Sequence, residues 1–200
     1  HAFADAAWLN SPALAKVFAA FAKSAAELRV VGGATRNALL GRPISDIDLA
    51  TPAVPEAVTE IATKAGLAVH PTGIEHGTVT VVADGVAFEV TTLRRDVETD
   101  GRRAVVAFTD DWREDAMRRD FTINAIYVAR DGTIYDPDGG LADLKDQRVR
   151  FIGDANEDSE RTICAMGDVR RLGRLPILSP LTRETLAAAF AANFRTGDFM

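Results

Sequence analysis

The stretch VVGGATRNALLGRPISDIDLAT, residues 30–51, decides the fold. The run Leu28-Arg29-Val30-Val31 predicts a short strand, and the pair Gly32-Gly33 joins it to a helix predicted over residues 34–40. Without side chains, the glycines let backbone N–H groups approach a phosphate at the start of that helix, although such a pair also makes ordinary turns. Residues 47–50 predict a second strand, which carries acidic residues.

Asp46 and Asp48 are the centre of the functional interpretation. Side chains alternate along a strand, so both carboxylates are expected on one face, about 6.6 Å apart at the backbone, with Ile47 turned into a core. Two like charges repel unless a cation lies between them, and Mg²⁺ prefers oxygen ligands completed by water and phosphates. The pair predicts a two-metal site, although a lone Asp-x-Asp is also typical of a polar strand end or a helix cap.

Two further features add polar residues to this candidate site. Arg36 is placed to make charge-assisted bonds to a phosphate. Glu89 lies in a hairpin, predicted by β-rich runs at 78–83 and 86–93 around the turn Asp84-Gly85. It is either a third acid of the site or an exposed strand residue.

The segment RRDFTINA, residues 118–125, concentrates polar groups of another kind. Arg118 and Arg119 suit triphosphate oxygens and base edges, because a guanidinium presents a planar fork of donors. Asp120 and Asn124 are four residues apart, so on a helix they share a face and are placed to bind ribose hydroxyls. The alternative is a helix-end cap with salt bridges in solvent.

The remaining pattern alternates helices and strands before a hairpin, which predicts an α+β fold: a mixed sheet with flanking helices. Residues 94–103 are polar and predict a mobile loop. A domain boundary near 150 separates a head, 1–150, from a helical segment, 151–200. Helices are expected at 12–26, 55–64, 112–119, 141–146 and 182–194, and strands at 105–108 and 126–129.

Composition bounds the class of protein. The chain has 200 residues, 47% hydrophobic and 26% charged, which fits a globular protein with a real core. The single Cys164 fits a reducing compartment, although a cysteine-poor secreted protein would look the same, and the expected location is cytoplasmic. No apolar run suggests a membrane span. The net charge of −6 argues weakly against nucleic acid. Five arginines between Arg161 and Arg183 nevertheless form a local basic surface or a solvated helix face.

Taken in order, these motifs resemble the class II CCA-adding tRNA nucleotidyltransferase and poly(A) polymerase family. The resemblance runs from about residue 28 to 154 and implies a polymerase-β-like nucleotidyltransferase head followed by a short helical neck-like segment. Besides residues 30–51, it rests on HGTVTVVADGVAFEVTTLRRDVETDGR (76–102), REDAMRRDFTINAIYV (113–128), DPDGGLADL (136–144) and RFIGD (150–154).

The resemblance implies roles for the residues already singled out. It implies that Asp46 and Asp48 hold two catalytic Mg²⁺ ions, that Gly32-Gly33 and Arg36 contact the triphosphate, and that residues 118–124 bind ribose and nucleotide. Two other segments resemble family elements. These are residues 94–103, like a flexible loop that influences the switch from C to A addition, and residues 136–144, like a hinge. Asn37 stands where the family usually has aspartate, a change expected to be mild.

The C-terminal part departs from the family. Residues 157–161 fit the base-selecting motif only in its bare form and begin early, so Asp158 and Arg161 are candidates for contacting the incoming base. An acidic helix start is the alternative. The chain departs further after about residue 165, where the tRNA-anchoring body is expected to be absent. A fragment, a natural truncation and a compact variant all remain open.

The predicted function is the addition of C, A or both from CTP and ATP to the 3′ end of tRNA by two-metal-ion catalysis. Two alternatives are a poly(A) polymerase or partial (CC- or A-) adding enzyme, and a non-catalytic RNA- or nucleotide-binding remnant. An aminoglycoside-type nucleotidyltransferase fits residues 118–125 less well. The expected partners are tRNA, CTP and ATP, with no membrane. The oligomeric state stays open.

Overall fold

The computed structural model describes residues 3–24, 26–71, 73–97, 105–152 and 182–193. Contacts divide the chain into two units, His1–Asp154 and Ala155–Met200. All the described strands lie in the first unit, and the described part of the second is helix α6 (Arg183–Asn193). The assignment of a catalytic domain to 1–150 and a neck-like segment to 151–200 stays a prediction.

The first unit is built on a seven-stranded mixed sheet in the order β3-β4-β5-β2-β1-β8-β9. Strands β2 and β5 run parallel, and the other neighbours in the sheet are antiparallel. The predicted α+β class is therefore confirmed. The strands are β1 (Arg29–Val31), β2 (Asp48–Thr51), β3 (Ala68–His70), β4 (Thr78–Ala83), β5 (Val86–Thr92), β8 (Tyr127–Ala129) and β9 (Ile134–Tyr135).

A separate two-stranded hairpin and five helices complete this unit. The hairpin pairs β6 (Arg94–Val97) with β7 (Val105–Phe108). The helices are α1 (Pro12–Lys23), α2 (Gly33–Leu39), α3 (Pro55–Lys64), α4 (Trp112–Met117) and α5 (Gly140–Lys145), with 3-10 turns at Ile74–His76 and Thr122–Asn124. Among the described helices, none has both the length and the apolar character needed to cross a bilayer.

One face of the sheet carries the main core. Buried residues alternate with more exposed ones along β4 and β5, so that Val79 and Val81 face the same side as Phe88 and Val90. Helices α1 and α3 cover that side, because their apolar positions recur at helical spacing. Each such side chain, when fully buried, contributes about 1.5–3 kcal/mol. This packing makes the sheet a rigid support for its other face.

The other face is only partly covered. A smaller cluster packs beside α4, where Ala50, Val31 and Tyr127 lie close to Leu93 and Ala116. Asp48 lies on the same face, in the strand pair that also contains Val31, and is exposed. The uncovered part of this face is therefore acidic, and it lies next to the buried apolar cluster that contains Tyr127.

Several sequence-based expectations are corrected here. The loop predicted at 94–103 is wrong at its start, because Arg94–Val97 forms strand β6 paired with β7; residues 98–104 lie outside the described part of the chain. The pairing partner of this polar strand lies further along the chain, so no local pattern revealed it. The edge strands β3 and β9 were also not predicted, and the helix predicted over 112–119 ends at Met117.

Candidate active site

The glycine turn lies directly beside the acidic strand. Gly32 has φ +76° and ψ −135°, a conformation that disfavours other residues, and α2 begins at Gly33. A Cβ placed on Gly32 would lie 3.8 Å from Oδ2 of Asp48. The turn therefore leaves an open approach to the Asp48 carboxylate along bare backbone.

The two aspartates are exposed and adjacent, but only one belongs to the strand. Strand β2 begins at Asp48, so the expectation that Asp46 also lies on it is wrong. The reason is that β1 ends at Val31, which pairs with Asp48. Beyond Val31, β1 has no residue that could pair with Asp46. The alternation still holds, since Ile47 packs against the main core between the two exposed acids.

Glu89 is the neighbour of Asp48 on strand β5. It is paired with Asp48 in the parallel register of β2 and β5, so both side chains project from the same face. Glu89 is exposed between the buried Phe88 and Val90, as the sequence suggested. The sheet thus brings Glu89 to the acidic pair.

The electrostatics of Asp48 reflect this crowding. Partial burial raises the pKa of Asp48, and the charges of Glu89 and Asp46 raise it further. The positive charge of Arg119 acts in the opposite direction. The site is therefore a concentration of negative charge with one arginine close enough to offset it.

Arg119 lies between the acids and a buried cluster. Its Nη2 and Nε donate to Oδ2 of Asp115 at 3.0 and 3.3 Å, and Nε also donates to the Tyr127 hydroxyl at 3.2 Å. Burial alone would lower the pKa of Arg119, but Tyr127 and Asp115 raise it above its ordinary value. The guanidinium is therefore held charged.

A second chain of hydrogen bonds links Arg36 to the segment 118–124. Arg36 Nη1 donates to Asn124 Oδ1 at 2.6 Å, and Asn124 Nδ2 donates to Asp120 Oδ1 at 3.0 Å. The expectation that Asp120 and Asn124 share a helix face is wrong, because α4 ends at Met117 and Asn124 lies in a 3-10 turn. The two side chains nevertheless meet.

The other predicted site residues have contacts of their own or lie outside the described part of the chain. Arg36 also contacts Oδ1 of Asn37, from Nη2 at 3.3 Å, and Asn37 in turn donates to the carbonyl oxygen of Pro43. Arg118 is directed toward the hairpin, since its Nε donates to Asp96 at 3.2 Å. Asp158 and Arg161 lie outside the described residues.

Sequence reasoning missed the buried members of this network. Asp115 and Tyr127 are almost fully buried, and the Tyr127 hydroxyl donates to Asp115 Oδ2 at 2.8 Å. The available signal was the spacing of Asp115 and Arg119, four residues apart near a helix, which favours an ion pair.

The donor set fits Mg²⁺ rather than a metal held in a protein cage. Among the described residues, no three or more His, Cys, Asp or Glu side chains form such a cage. Mg²⁺ instead takes one or two carboxylates and completes its octahedron with water and substrate phosphates. Asp46 and Asp48 supply two exposed carboxylates whose mutual repulsion a cation would relieve.

The sequence of this strand–turn–helix and its surroundings matches a known family. Residues 28–150 match the family described as "Poly A polymerase head domain". The chain belongs to the poly(A) polymerase head-domain family. The resemblance inferred from the motifs is therefore confirmed.

Relatives in this head-domain family are close in sequence. The chain is 48% identical over 137 residues to "CCA tRNA nucleotidyltransferase 1, mitochondrial" of Danio rerio, covering 68% of this chain and 32% of the relative. It is 44% identical over 153 residues to the "CCA-adding enzyme" of Leuconostoc citreum, covering 74% of this chain and 37% of that one. The chain thus spans about a third of the length of these curated relatives.

Solved structures agree with the head-domain fold. The Bacillus stearothermophilus CCA-adding enzyme in complex with CTP matches with a TM-score of 0.65 and 38% identity, over 78% of this chain and 38% of that one. A tRNA nucleotidyltransferase complexed with a primer tRNA and an incoming ATP analog matches with a TM-score of 0.54 and 32% identity, over 68% and 39%.

Proposed function

We propose that this chain transfers nucleotides from CTP, ATP or both to the 3′ hydroxyl of tRNA without a template. The observation that carries the proposal is the juxtaposition of Asp48 with Glu89 on one sheet face, beside the bare backbone of Gly32. The names of the relatives support the substrates, since they are CCA-adding enzymes and one related structure holds CTP.

The proposed reaction is an in-line displacement at the α-phosphorus. The tRNA 3′ oxygen forms the new bond to the α-phosphorus as its proton passes to solvent water, and the bond between the α-phosphorus and the departing pyrophosphate breaks. Bound Mg²⁺ would lower the pKa of the attacking hydroxyl and would neutralise charge on the departing pyrophosphate. In this proposal Asp46 and Asp48 hold the ions, and Glu89 contributes a third charge beside them.

The cationic and polar residues orient the nucleotide in this proposal. Arg36 binds the triphosphate beside Gly32-Gly33, where the exposed backbone allows close approach. Arg119 balances the negative charge at Asp48. Asp120 and Asn124, which already bond to one another, bind the ribose hydroxyls. Arg118 contributes only if nucleotide binding draws it from Asp96.

The central test replaces each acid of the pair. Asp46→Ala and Asp48→Ala are expected to lower incorporation of labelled CTP into a tRNA lacking its CCA end by about a thousandfold or more, because several kcal/mol of charge stabilisation are lost. Both acids are exposed, so the fold is retained. Asp5→Ala, at another exposed aspartate, is the matched control and stays fully active. Wild-type rates in either acid variant contradict the metal assignment.

The choice of nucleotide is settled by supplying each one alone. CTP and ATP are offered separately to tRNAs lacking A, CA or CCA, with and without Mg²⁺. Sequential addition of C, C and A supports CCA synthesis, whereas addition of one base only indicates a partial adder and long A tracts a poly(A) polymerase. Nucleotide binding without incorporation indicates a non-catalytic remnant.

The cytoplasmic location stays a prediction, since the names of some relatives place them in mitochondria.

A further inference from the structure

Asp115 is a buried carboxylate with an unusually full set of partners. It is 3% exposed and lies in α4. Its Oδ1 accepts the backbone N–H of Arg94 at 3.0 Å, and its Oδ2 accepts from the Tyr127 hydroxyl and from two nitrogens of Arg119. Such satisfaction is what a buried charge requires, and it also fixes the geometry of each donor.

The Arg119 side chain connects this buried cluster to the acidic pair. It is 23% exposed on the side chain, so it is neither a free surface residue nor fully enclosed. The Tyr127 hydroxyl to which it donates belongs to β8, and Val31 of β1 pairs with both Tyr127 and Asp48, so Tyr127 and Asp48 project from the same face of the sheet. The orientation of Arg119 is fixed by its hydrogen bonds to the buried Asp115 and Tyr127 side chains.

The same carboxylate also holds the base of the β6–β7 hairpin. Arg94 is the first residue of β6, and its N–H bonds to Asp115 rather than to a neighbouring strand. Arg94 Nη1 donates to the carbonyl oxygen of His76 at 2.7 Å, which ties the hairpin to the 3-10 turn that precedes β4. One side chain therefore sets both an arginine of the site and the start of the hairpin next to it.

We propose that Asp115 is a positioning residue for the incoming nucleotide, which acts by holding Arg119 beside the acidic pair and by fixing the first residue of the β6–β7 hairpin. This inference rests on the proposed function. Asp115 touches no reacting atom. It determines where the positive charge of Arg119 lies when the triphosphate arrives.

The test is Asp115→Asn in the full chain. Asparagine keeps the size of the side chain, but the negative charge is lost and one acceptor oxygen becomes an NH₂ group, which faces the donors of Arg119 and Tyr127 or the N–H of Arg94. The dissociation constant for CTP and the KM are expected to rise about tenfold, while kcat falls by less than about threefold, because the lost contact acts on binding of the triphosphate. Binding is measured by titration and turnover by incorporation.

A cycle with Arg119 shows whether Asp115 acts through that residue. Arg119→Lys keeps a charge but loses the fork of donors. If Asp115 acts through Arg119, the double variant has the KM of Arg119→Lys alone rather than the product of the two effects. Multiplicative effects overturn the positioning role.

A matched control separates positioning from loss of stability. Thr51 is fully buried on the opposite face of the sheet, and its hydroxyl donates to the carbonyl oxygen of Glu27 at 2.7 Å. Thr51→Val removes a buried hydrogen bond and lowers Tm, but CTP affinity stays unchanged. If Asp115→Asn does not fold, Asp115→Glu retains the charge while displacing Arg119 by one methylene. It is expected to raise KM about threefold, and an unchanged KM overturns the proposal.

The outcomes distinguish this inference from the proposed function. CTP binding without incorporation by the wild-type chain overturns the function, while a weaker CTP affinity of Asp115→Asn still supports the positioning role. Incorporation by the wild-type chain with an unchanged CTP affinity of Asp115→Asn overturns the positioning role alone. Failure of the wild-type chain to bind CTP overturns both.

Discussion

Asp48 has like charges on two sides, from Glu89 on the neighbouring strand and from Asp46 two residues earlier. Partial burial and these neighbours raise its pKa, so the charged form of Asp48 is less stable here than in a free aspartate. The repulsion among these three carboxylates is a reason to expect a cation there, because bound Mg²⁺ would offset it. At Asp143 the neighbouring groups lower the pKa of the carboxyl instead of raising it.

The carboxylate of Asp143 stabilises the fold in a pH-dependent way. It is 2% exposed, accepts from Thr122 Oγ1 at 2.6 Å and pairs with Arg150 at 3.0 Å. The hydrogen bond from Thr122 lowers its pKa, and Arg150 and Arg148 lower it further. Since the folded pKa lies below the unfolded value of about 3.9, the stabilisation is present above that pH and is lost as pH falls through the folded pKa.

Asp143→Asn is therefore expected to lower Tm by several degrees at pH 7, and the difference from wild type should narrow below about pH 3.9. Thermal unfolding across this pH range measures it. Asp5→Asn is the control, because Asp5 is exposed and its replacement should give no such pH-dependent difference. A gap between Asp143→Asn and wild type that is constant from neutral to acid pH contradicts the role given to the Asp143 charge.

How far single residues were predictable depended on whether their partners were local. Asp48 and Gly32 were recognised because a strand, a turn and a helix follow one another within residues 28–40 and lead to the acids. Asp115 was missed because its donors come from three residues, Arg94, Tyr127 and Arg119, and only Arg119 lies at a recognisable spacing. Buried polar networks are assembled by tertiary contacts, which local patterns do not encode.

At the scale of elements, the same distinction separates β4–β5 from β6. The alternating apolar residues around Asp84-Gly85 predicted the first hairpin, and Asp84 (φ 51°) with Gly85 (φ 79°) adopts the left-handed pair that such a turn needs. Strand β6 begins with polar residues, and its hydrogen bonds go to β7, α4 and the turn at His76. Its structure is imposed by neighbours, so the sequence resembled a loop.

The close packing of α5 against the 3-10 turn at Thr122–Asn124 gives a prediction for Gly140. A Cβ on Gly140 would clash with the carbonyl group of Thr122 and approach the Ile126 side chain. Gly140→Ala is expected to cost about 1–3 kcal/mol of stability, and to raise the KM for CTP by moving Asn124. Thermal unfolding and incorporation kinetics measure the two effects.

Gly66→Ala, in the turn after α3, is the control for Gly140→Ala. No atom of the described residues lies within 4 Å of a Cβ on Gly66, but its φ of +75° makes alanine strained there. It is expected to lower Tm with an unchanged KM, because α3 and β3 hold no candidate site residue. Equal KM values for Gly140→Ala and wild type would show that the packing of α5 does not set the position of Asn124.

At the scale of the whole molecule, the described core and the candidate site belong to the unit His1–Asp154. Sheet, helices and acids form one packed structure, and its two apolar clusters involve residues up to Ile152. The family assignment covers the same region, residues 28–150. The expected contacts to the base, Asp158 and Arg161, are in the other unit, so triphosphate binding and base selection are predicted to be separable.

A chain ending at Asp154 tests this separation. It is expected to unfold in one cooperative transition, since the described core is complete within it, and to bind CTP within about threefold of the full chain, because the phosphate-binding residues remain. Its preference for CTP and ATP over GTP and UTP should disappear if Asp158 and Arg161 choose the base. The full chain carrying Asp158→Ala and Arg161→Ala is the matched comparison and should lose the same preference while keeping triphosphate affinity. Retained selectivity in both proteins would move base choice into the head, where Arg118 could take part only after nucleotide binding draws it away from Asp96.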